Sequence, residues 1–172
     1  MNSRLQSLFD SIENQRRSLV SSLKNLPSEK LNNHAPNKWS INQIIAHLVA
    51  AEQLSVDYIN KKMLGIDQIG DTGFYEELKM LVLKISQRLP FKYTAPKKVI
   101  ENTVQESDIA KLIERWDLVR AELRRLLEKI EDHQIKRGIY RHVRVGLINI
   151  QHAVNFFGEH VTHNTQQIKR QL

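Results

Sequence analysis

Four long stretches of the chain repeat apolar residues at the spacing of a single helix face, and this pattern constrains the fold more than any other feature. The 172 residues suit one domain, 1–172, and an apolar fraction of 41% is enough to form a packed core. We therefore predict an all-α protein whose framework is a four-helix bundle. The four stretches are roughly 2–25, 41 to about 64, about 107–130 and 150–168.

Polar residues in front of two of these stretches indicate where the helices begin. Ser40 and Gln43 stand three positions apart, the spacing of a capping box in which each side chain bonds a backbone amide of the other. Asn149 precedes the last stretch and is a plausible N-cap. The polar run SEKLNNHAPNK ends the first helix.

An insertion separates the second and third long helices. Gly65, Gly70 and Gly73 break the chain, and GFYEELKMLVLKISQRL then predicts a short inserted helix that reaches Pro90. The segment FKYTAPKKVIENTVQES is predicted to be extended, because Pro96 and the β-branched residues oppose a helix there. We see no convincing β-strand in the sequence.

Composition excludes several classes of function. The chain has no cysteine, so disulfides, zinc–cysteine sites and thiol nucleophiles are excluded and a reducing compartment is favoured. The N-terminal residues MNSRLQSLFDSIENQRR contain no continuous apolar run, and no stretch approaches the ~20 apolar residues that span a bilayer. We therefore expect a soluble cytoplasmic protein with no signal peptide.

The net positive charge of the chain is a feature that nucleic-acid-binding proteins share, so nucleic acid is one candidate partner. Lysine and arginine exceed the acids by 26 − 19 = 7. The basic residues nevertheless alternate with acids along the predicted helices, which favours solvated helix faces over a nucleic-acid surface. Arg137, Arg141 and Arg144 are the one local basic cluster, in a predicted loop.

Two histidines far apart in sequence are the candidate site. His47 follows Ile44 by three positions, and His160 follows Phe157 by three, so each lies on or beside the apolar face of its helix. A buried imidazole needs a hydrogen-bond partner or a metal ion, because burying it unpaired costs a few kcal/mol. Either residue alone also fits a satisfied histidine at the core edge. Together they predict a shared metal or acid/base site.

A catalytic metal also needs a third ligand and an open position. Asn164 lies one turn after His160, rotated about 40° around the helix, and His163 is rotated about 60° the other way. Asparagine is a poor ligand for zinc or nickel, and His163 also fits a surface position. Glu52 is a further possibility, although the helix turns it away from His47. The remaining histidines are predicted to be solvent-facing or structural: His34, His133, His142 and His152.

Four motifs stand in a definite order along the chain. They are P-x-x-W-S-x-x-x-x-x-x-H-L at 36–48, A-P at 95–96, Y-R-H-x-x-x-G at 140–146, and F-F-x-x-H followed by Q-I within 156–168. In their order and spacing, which cover the whole chain, they resemble the DinB-like superfamily, the DinB/YfiT type of bacterial metalloenzymes. The resemblance implies an up-down-down-up four-helix bundle, frequently dimeric, in which three histidines at one end hold a divalent metal such as zinc or nickel.

The resemblance also implies the site residues and the class of activity. His47 and His160 match two of the family's three histidines, whereas the third, four residues after His160, falls on Asn164. The metal is then weakly bound or absent, or His163 replaces the missing ligand. The implied activity is that of a metal-dependent hydrolase or thiol-dependent transferase acting on a small molecule, with a low-molecular-weight thiol. The alternative is a non-catalytic bundle that binds a small ligand or a protein.

The resemblance also implies a homodimer, and one surface of this chain is a candidate for its interface. The apolar residues of 74–91 are a candidate interface for a homodimer.

Overall fold

The computed structural model describes residues 1–88 and 97–172, and side chains for 1–82 and 97–172. Helices account for most of this part of the chain, as the apolar periodicity predicted. The helices are α1 (Ser3–Leu23), α2 (Ser28–Asn32), α3 (Ile41–Met63), α4 (Phe74–Arg88), α5 (Lys97–Asn102), α6 (Ile109–Glu128) and α7 (Ile150–Lys169), and the strands are β1 (Tyr140–His142) and β2 (Gly146–Ile148).

Helices α1, α3, α6 and α7 form a four-helix bundle in the predicted up-down-down-up order. Asn2 Nδ2 donates to Asp132 Oδ1 at 2.7 Å, so α1 begins beside the end of α6 and the two run antiparallel. Asn42 Nδ2 donates to Ser107 O at 2.6 Å, so α3 and α6 begin at the same end. Helix α7 returns in the direction of α1 and packs along it, while α3 packs against α6 and α7.

The predicted helix starts are confirmed at both sites. Ser40 Oγ accepts from Gln43 N at 3.2 Å, and Gln43 Oε1 accepts from Ser40 N at 2.9 Å, which completes the capping box. Asn149 Oδ1 accepts from His152 N at 3.0 Å. These caps fix the residues at which α3 and α7 begin.

The predicted absence of strands is wrong. β1 and β2 pair antiparallel, with Tyr140 opposite Ile148 and His142 opposite Gly146. Gly146 has a φ of +80°, a left-handed conformation that glycine adopts without strain, and it allows the tight turn. Strands of three residues are too short to show the alternating pattern by which strands are recognised.

The prediction of an extended segment over 91–107 is wrong for residues 97–102, whereas residues 103–107 form neither helix nor strand. Residues 97–102 form α5. Pro96 opposes a helix before it but is well tolerated at the first position of a helix after it, so its place just ahead of Lys97 does not exclude α5. The part of that prediction over residues 91–96, with the Ala95–Pro96 motif, lies outside the described residues.

Two further surface observations concern the predicted partners. Within the described parts of the chain, none of the helices combines the length and apolarity needed to cross a lipid bilayer.

The homodimer stays a prediction, and the helix proposed for its interface does expose apolar side chains. These are Phe74, Tyr75, Leu78, Leu81 and Val82 of α4.

Candidate functional site

The imidazoles of His47 and His160 meet between α3 and α7. Their Nε2 atoms lie 3.2 Å apart, although the residues are 113 positions apart in sequence. Their rings are nearly perpendicular, at 87°, with centroids 5.1 Å apart. One Nε2–H donates to the other Nε2, so at least one ring is a neutral acceptor. The structure therefore brings together the two histidines that the sequence singled out.

Burial keeps both rings in the neutral form. It lowers the pKa of His47 from 6.5 to about 4. Burial, and then the neighbouring histidines, lower the pKa of His160 to about 3. Near pH 7 both rings are therefore unprotonated, which is the form of histidine that binds metal ions and accepts protons. His47 Nδ1 is buried without a hydrogen-bond partner.

Aromatic rings hold the histidine pair in place. The ring of Trp39 packs edge-on against His47, with centroids 5.1 Å apart, and Trp39 is 39% exposed. Phe156 stacks on His160 at 5.7 Å with an interplanar angle of 9°. The ring of His142, from β1, contacts Phe156 at 4.4 Å. Trp39 and Phe156 thus pack directly against the pair, and β1 contacts Phe156.

His142 is a neighbour of the site that sequence reasoning did not single out. It is 4% exposed, and its Nδ1 accepts from Arg144 N at 3.2 Å, so the neutral ring carries its proton on Nε2. Burial, followed by the nearby Arg144, lowers its pKa to about 4. The length of β1, three residues, gives no pattern from which the burial of His142 could be predicted. Its place in the Tyr140–Gly146 motif was the only indication in the sequence that His142 belongs near the site.

The two candidates for a third ligand are placed differently. Asn164 is 4% exposed, and its Nδ2 donates to His160 O at 2.9 Å, which ties the amide to its own helix. Its Oδ1 is therefore the atom left to act as a ligand. His163 Nε2 lies 3.2 Å from Gln167 Nε2, another contact within α7. Neither contact involves the Nε2 atoms of His47 and His160.

Glu52 belongs to an ion pair in the core. It is 4% exposed, and its Oε2 accepts from Trp116 Nε1 and from Arg120 Nε at 3.2 Å. Its Oε1 lies 2.7 Å from Arg120 Nη2. Burial raises the pKa of Glu52, while Arg120 and Trp116 favour the ionised form. These contacts commit Glu52 to α6, as the helix geometry indicated when it turned this residue away from His47.

The other histidines fall into two groups. His34 and His133 are exposed, and His133 Nε2 lies 3.1 Å from Asp67 Oδ1. His152 is buried, and its Nε2 lies 3.0 Å from Glu77 Oε2 of α4. None of these contacts involves the candidate site.

The histidine pair matches two positions of a metal site. Two nitrogen ligands of one tetrahedral zinc ion, each at ~2.0–2.1 Å from it, lie roughly 3.3 Å apart. The observed separation of 3.2 Å agrees with that geometry. Among the described residues, however, no three histidine, cysteine, aspartate or glutamate side chains are grouped to hold an ion. An ion bound here would take its remaining ligands from water or from an amide oxygen such as Asn164 Oδ1.

The lowered pKa values predict that acid destabilises the fold. Between pH 6.5 and about 4 the unfolded chain binds protons at His47 and His142 that the folded chain excludes, so stability rises with pH in this window. The free energy of unfolding should be constant above pH 7.5 and lower by about 2 kcal/mol per histidine at pH 5. Urea unfolding at a series of pH values measures it.

Two variants test whether the buried His142 causes part of this acid-induced loss of stability. His142→Gln keeps an acceptor for Arg144 N and should remove about 2 kcal/mol of the acid-induced loss at pH 5. The matched control is His34→Gln at an exposed position, which should keep the wild-type profile. An unaltered profile in His142→Gln would contradict the assignment.

Comparisons with known proteins agree with this fold. The family model of the DinB superfamily matches residues 11–168, and the chain therefore belongs to the DinB superfamily. Among solved structures it is similar to YfiT from Bacillus subtilis, described as a probable metal-dependent hydrolase with an unusual four-helix bundle topology. That likeness has a TM-score of 0.58 at 14% sequence identity and covers 99% of this chain and 87% of the YfiT chain, so it shows the shared fold. Among curated proteins, none matches this sequence.

Proposed function

We propose that this protein is a metal-dependent hydrolase in which His47 and His160 hold a divalent zinc or nickel ion. The observation that carries the proposal is the 3.2 Å contact between their Nε2 atoms, made by neutral imidazoles at two of the family's ligand positions. Asn164 Oδ1 and water supply the remaining ligands. Because an amide oxygen is a weaker ligand for these ions than an imidazole, binding is weaker than at a three-histidine site.

The residues around the pair have defined tasks in this proposal. Burial lowers both pKa values, so both rings are neutral near pH 7, and each offers an Nε2 lone pair to an ion in the tautomer that carries its proton on Nδ1. Trp39 and Phe156 fix the orientation of the two rings by packing against them. A bound ion would supply Lewis-acid activation of a water molecule. Activation of a low-molecular-weight thiol at the same position would give a thiol-dependent transferase.

Metal content after equilibration with nickel or zinc tests the proposal. Protein purified without a histidine tag should bind one ion per chain, and His47→Ala or His160→Ala should abolish the uptake because each removes one of two imidazole ligands. Nickel should also quench the fluorescence of Trp39, whose ring lies 5.1 Å from that of His47.

The matched control is His133→Ala, which removes an exposed histidine that contacts Asp67 and leaves the site intact. It should bind metal as the unmodified protein does. No uptake by the unmodified protein in excess nickel, or equal uptake by His47→Ala, would refute the proposal.

A second candidate function is supported by a different observation. The described residues contain no three-ligand group, and the two imidazoles already satisfy each other by a hydrogen bond. A metal-free bundle that binds a small ligand without turnover fits these facts. Binding of a small molecule in the presence of chelator, without conversion, would favour this function.

A further inference from the structure

The first strand of the hairpin contacts both helices that carry the histidine pair. β1 lies against α3 and against α7. Tyr140 and His142 are two positions apart on β1, so their side chains lie on the same face of the strand, while Arg141 between them is exposed. The hydroxyl of Tyr140 bonds to α3 and the ring of His142 packs on α7. The strand therefore joins the two helices.

Tyr140 ties β1 to α3 by a hydrogen bond. Its hydroxyl oxygen lies 2.8 Å from Ser55 Oγ. Ser55 Oγ donates its only proton to Ala51 O at 2.7 Å, so Tyr140 is the donor in the bond between the two hydroxyls. The ring of Tyr140 also packs edge-on against that of Tyr58, with centroids 5.8 Å apart. Because Ser55 and Tyr58 both belong to α3, the start of β1 is fixed to the helix that carries His47.

His142 reaches α7 through Phe156. Its ring meets that of Phe156 at 72° with centroids 4.4 Å apart, and Phe156 in turn stacks on His160 at 5.7 Å. The hydrogen bond from Arg144 N to His142 Nδ1 fixes the plane of the His142 ring. Phe156 is only partly buried, so the core does not enclose its ring on every side, and His142 supplies one of its walls. A residue of β1 thus supports the ring of His160 through one intervening side chain.

We propose that β1 is a positioning element for the histidine pair. Tyr140 anchors the strand to α3. His142, acting through Phe156, holds the ring of His160 in the orientation that meets the other histidine. This orientation matters because a hydrogen bond weakens steeply as its alignment is lost. The role of β1 in metal binding rests on the proposed function, whereas the geometry of the pair is measurable on metal-free protein.

Nuclear magnetic resonance of chelator-treated protein with isotope-labelled histidine measures the bond within the pair. A scalar coupling between the two Nε2 nuclei passes through the hydrogen bond and falls when the bond lengthens or bends. The unmodified protein should show this coupling. His142→Asn keeps an acceptor for Arg144 N but removes most of the ring, and it should lose most of the coupling. His142→Phe keeps a ring against Phe156 and should retain the coupling.

Two further variants show whether the effect passes through Phe156. Phe156→Leu removes the intervening ring, so adding His142→Asn to it should lower the coupling no further. The matched control is Arg141→Asn at the exposed position between the two inward-facing residues of β1, which should keep the full coupling. If His142→Asn does not fold, Tyr140→Phe replaces it, since this change deletes only the hydroxyl that anchors β1, and it should reduce the coupling.

The results that would overturn the proposal are specific. They are the absence of the coupling in the unmodified protein, an unchanged coupling in His142→Asn or in Tyr140→Phe, and an equal loss in His142→Asn and His142→Phe. Circular dichroism confirms that each variant compared is folded.

A nickel titration separates this role of β1 from the proposed function. Residues that orient a metal ligand change affinity by ~10–100-fold, so His142→Asn should bind nickel at least about 10-fold more weakly than the unmodified protein. Equal affinity of the two would contradict the positioning role. If the unmodified protein binds no nickel, the proposed function fails, and the coupling between the two Nε2 nuclei still decides whether β1 positions the pair.

Discussion

Replacing Asn164 with histidine should raise the affinity for nickel or zinc on the order of 100-fold or more. The substitution adds an imidazole one turn after His160, at the position where the resemblance to the family predicts a third ligand. Loss of an outer-shell partner of a metal ligand already changes affinity by ~10–100-fold, and a direct ligand is worth at least as much. Competition with a chromophoric chelator measures the change. At a free metal concentration 100 times the dissociation constant, the ion should stabilise the fold by about 2.7 kcal/mol.

The matched control for this variant is Gln166→His. It adds a histidine two positions further along α7, where the side chain is exposed. This control should leave the affinity close to that of the unmodified protein, because an exposed imidazole cannot join the pair formed by His47 and His160. If both variants bind metal equally well, the added histidine acts at the surface and the ligand position assigned to Asn164 is wrong.

Replacing Glu52 with leucine should destabilise the fold by about 3–5 kcal/mol, because it leaves the Arg120 guanidinium buried without its counter-charge. Arg120 is 3% exposed, so water cannot replace the carboxylate without a change in the structure. Trp116 Nε1 would lose its acceptor as well. Urea unfolding followed by circular dichroism gives the free energy of unfolding.

A double variant and a surface pair separate the charge effect from the loss of packing. Glu52→Leu combined with Arg120→Met removes both charges and should recover most of the lost stability, since hydrophobic replacement of a whole buried pair is often neutral. Glu128→Leu breaks the exposed pair with Arg124 and should cost less than about 1 kcal/mol. If the double variant is as unstable as the single one, the ion pair is not the cause.

The four long helices of the bundle could be predicted from the sequence because each has a long periodic apolar face, and for α3 and α7 the sequence also indicated the polar cap. The pairing of His47 with His160 could also be predicted, because both interrupt apolar faces and both match family positions. Whether the pair binds metal stays a prediction. Its geometry, two Nε2 atoms in direct contact, depends on the relative level of α3 and α7, which no local pattern encodes.

Other parts of the site could not be predicted, for identifiable reasons. The ion pair between Glu52 and Arg120 joins residues 68 positions apart, and choosing a partner among many charges requires the packing of α3 on α6. A usable signal did exist, because both charges fall at buried positions of otherwise apolar helix faces. The short strands carried no such signal, which is why the burial of His142 was not anticipated.

The pairing of α1 with α7 affects how the chain can fold during synthesis. The apolar face of α1 is covered mainly by a helix that begins more than 120 residues later, so it lacks its principal partner until nearly all the described chain has left the ribosome. Such long-range contacts slow folding relative to a bundle of sequential hairpins. The first helix is therefore the segment whose exposure to chaperones and proteases should last longest.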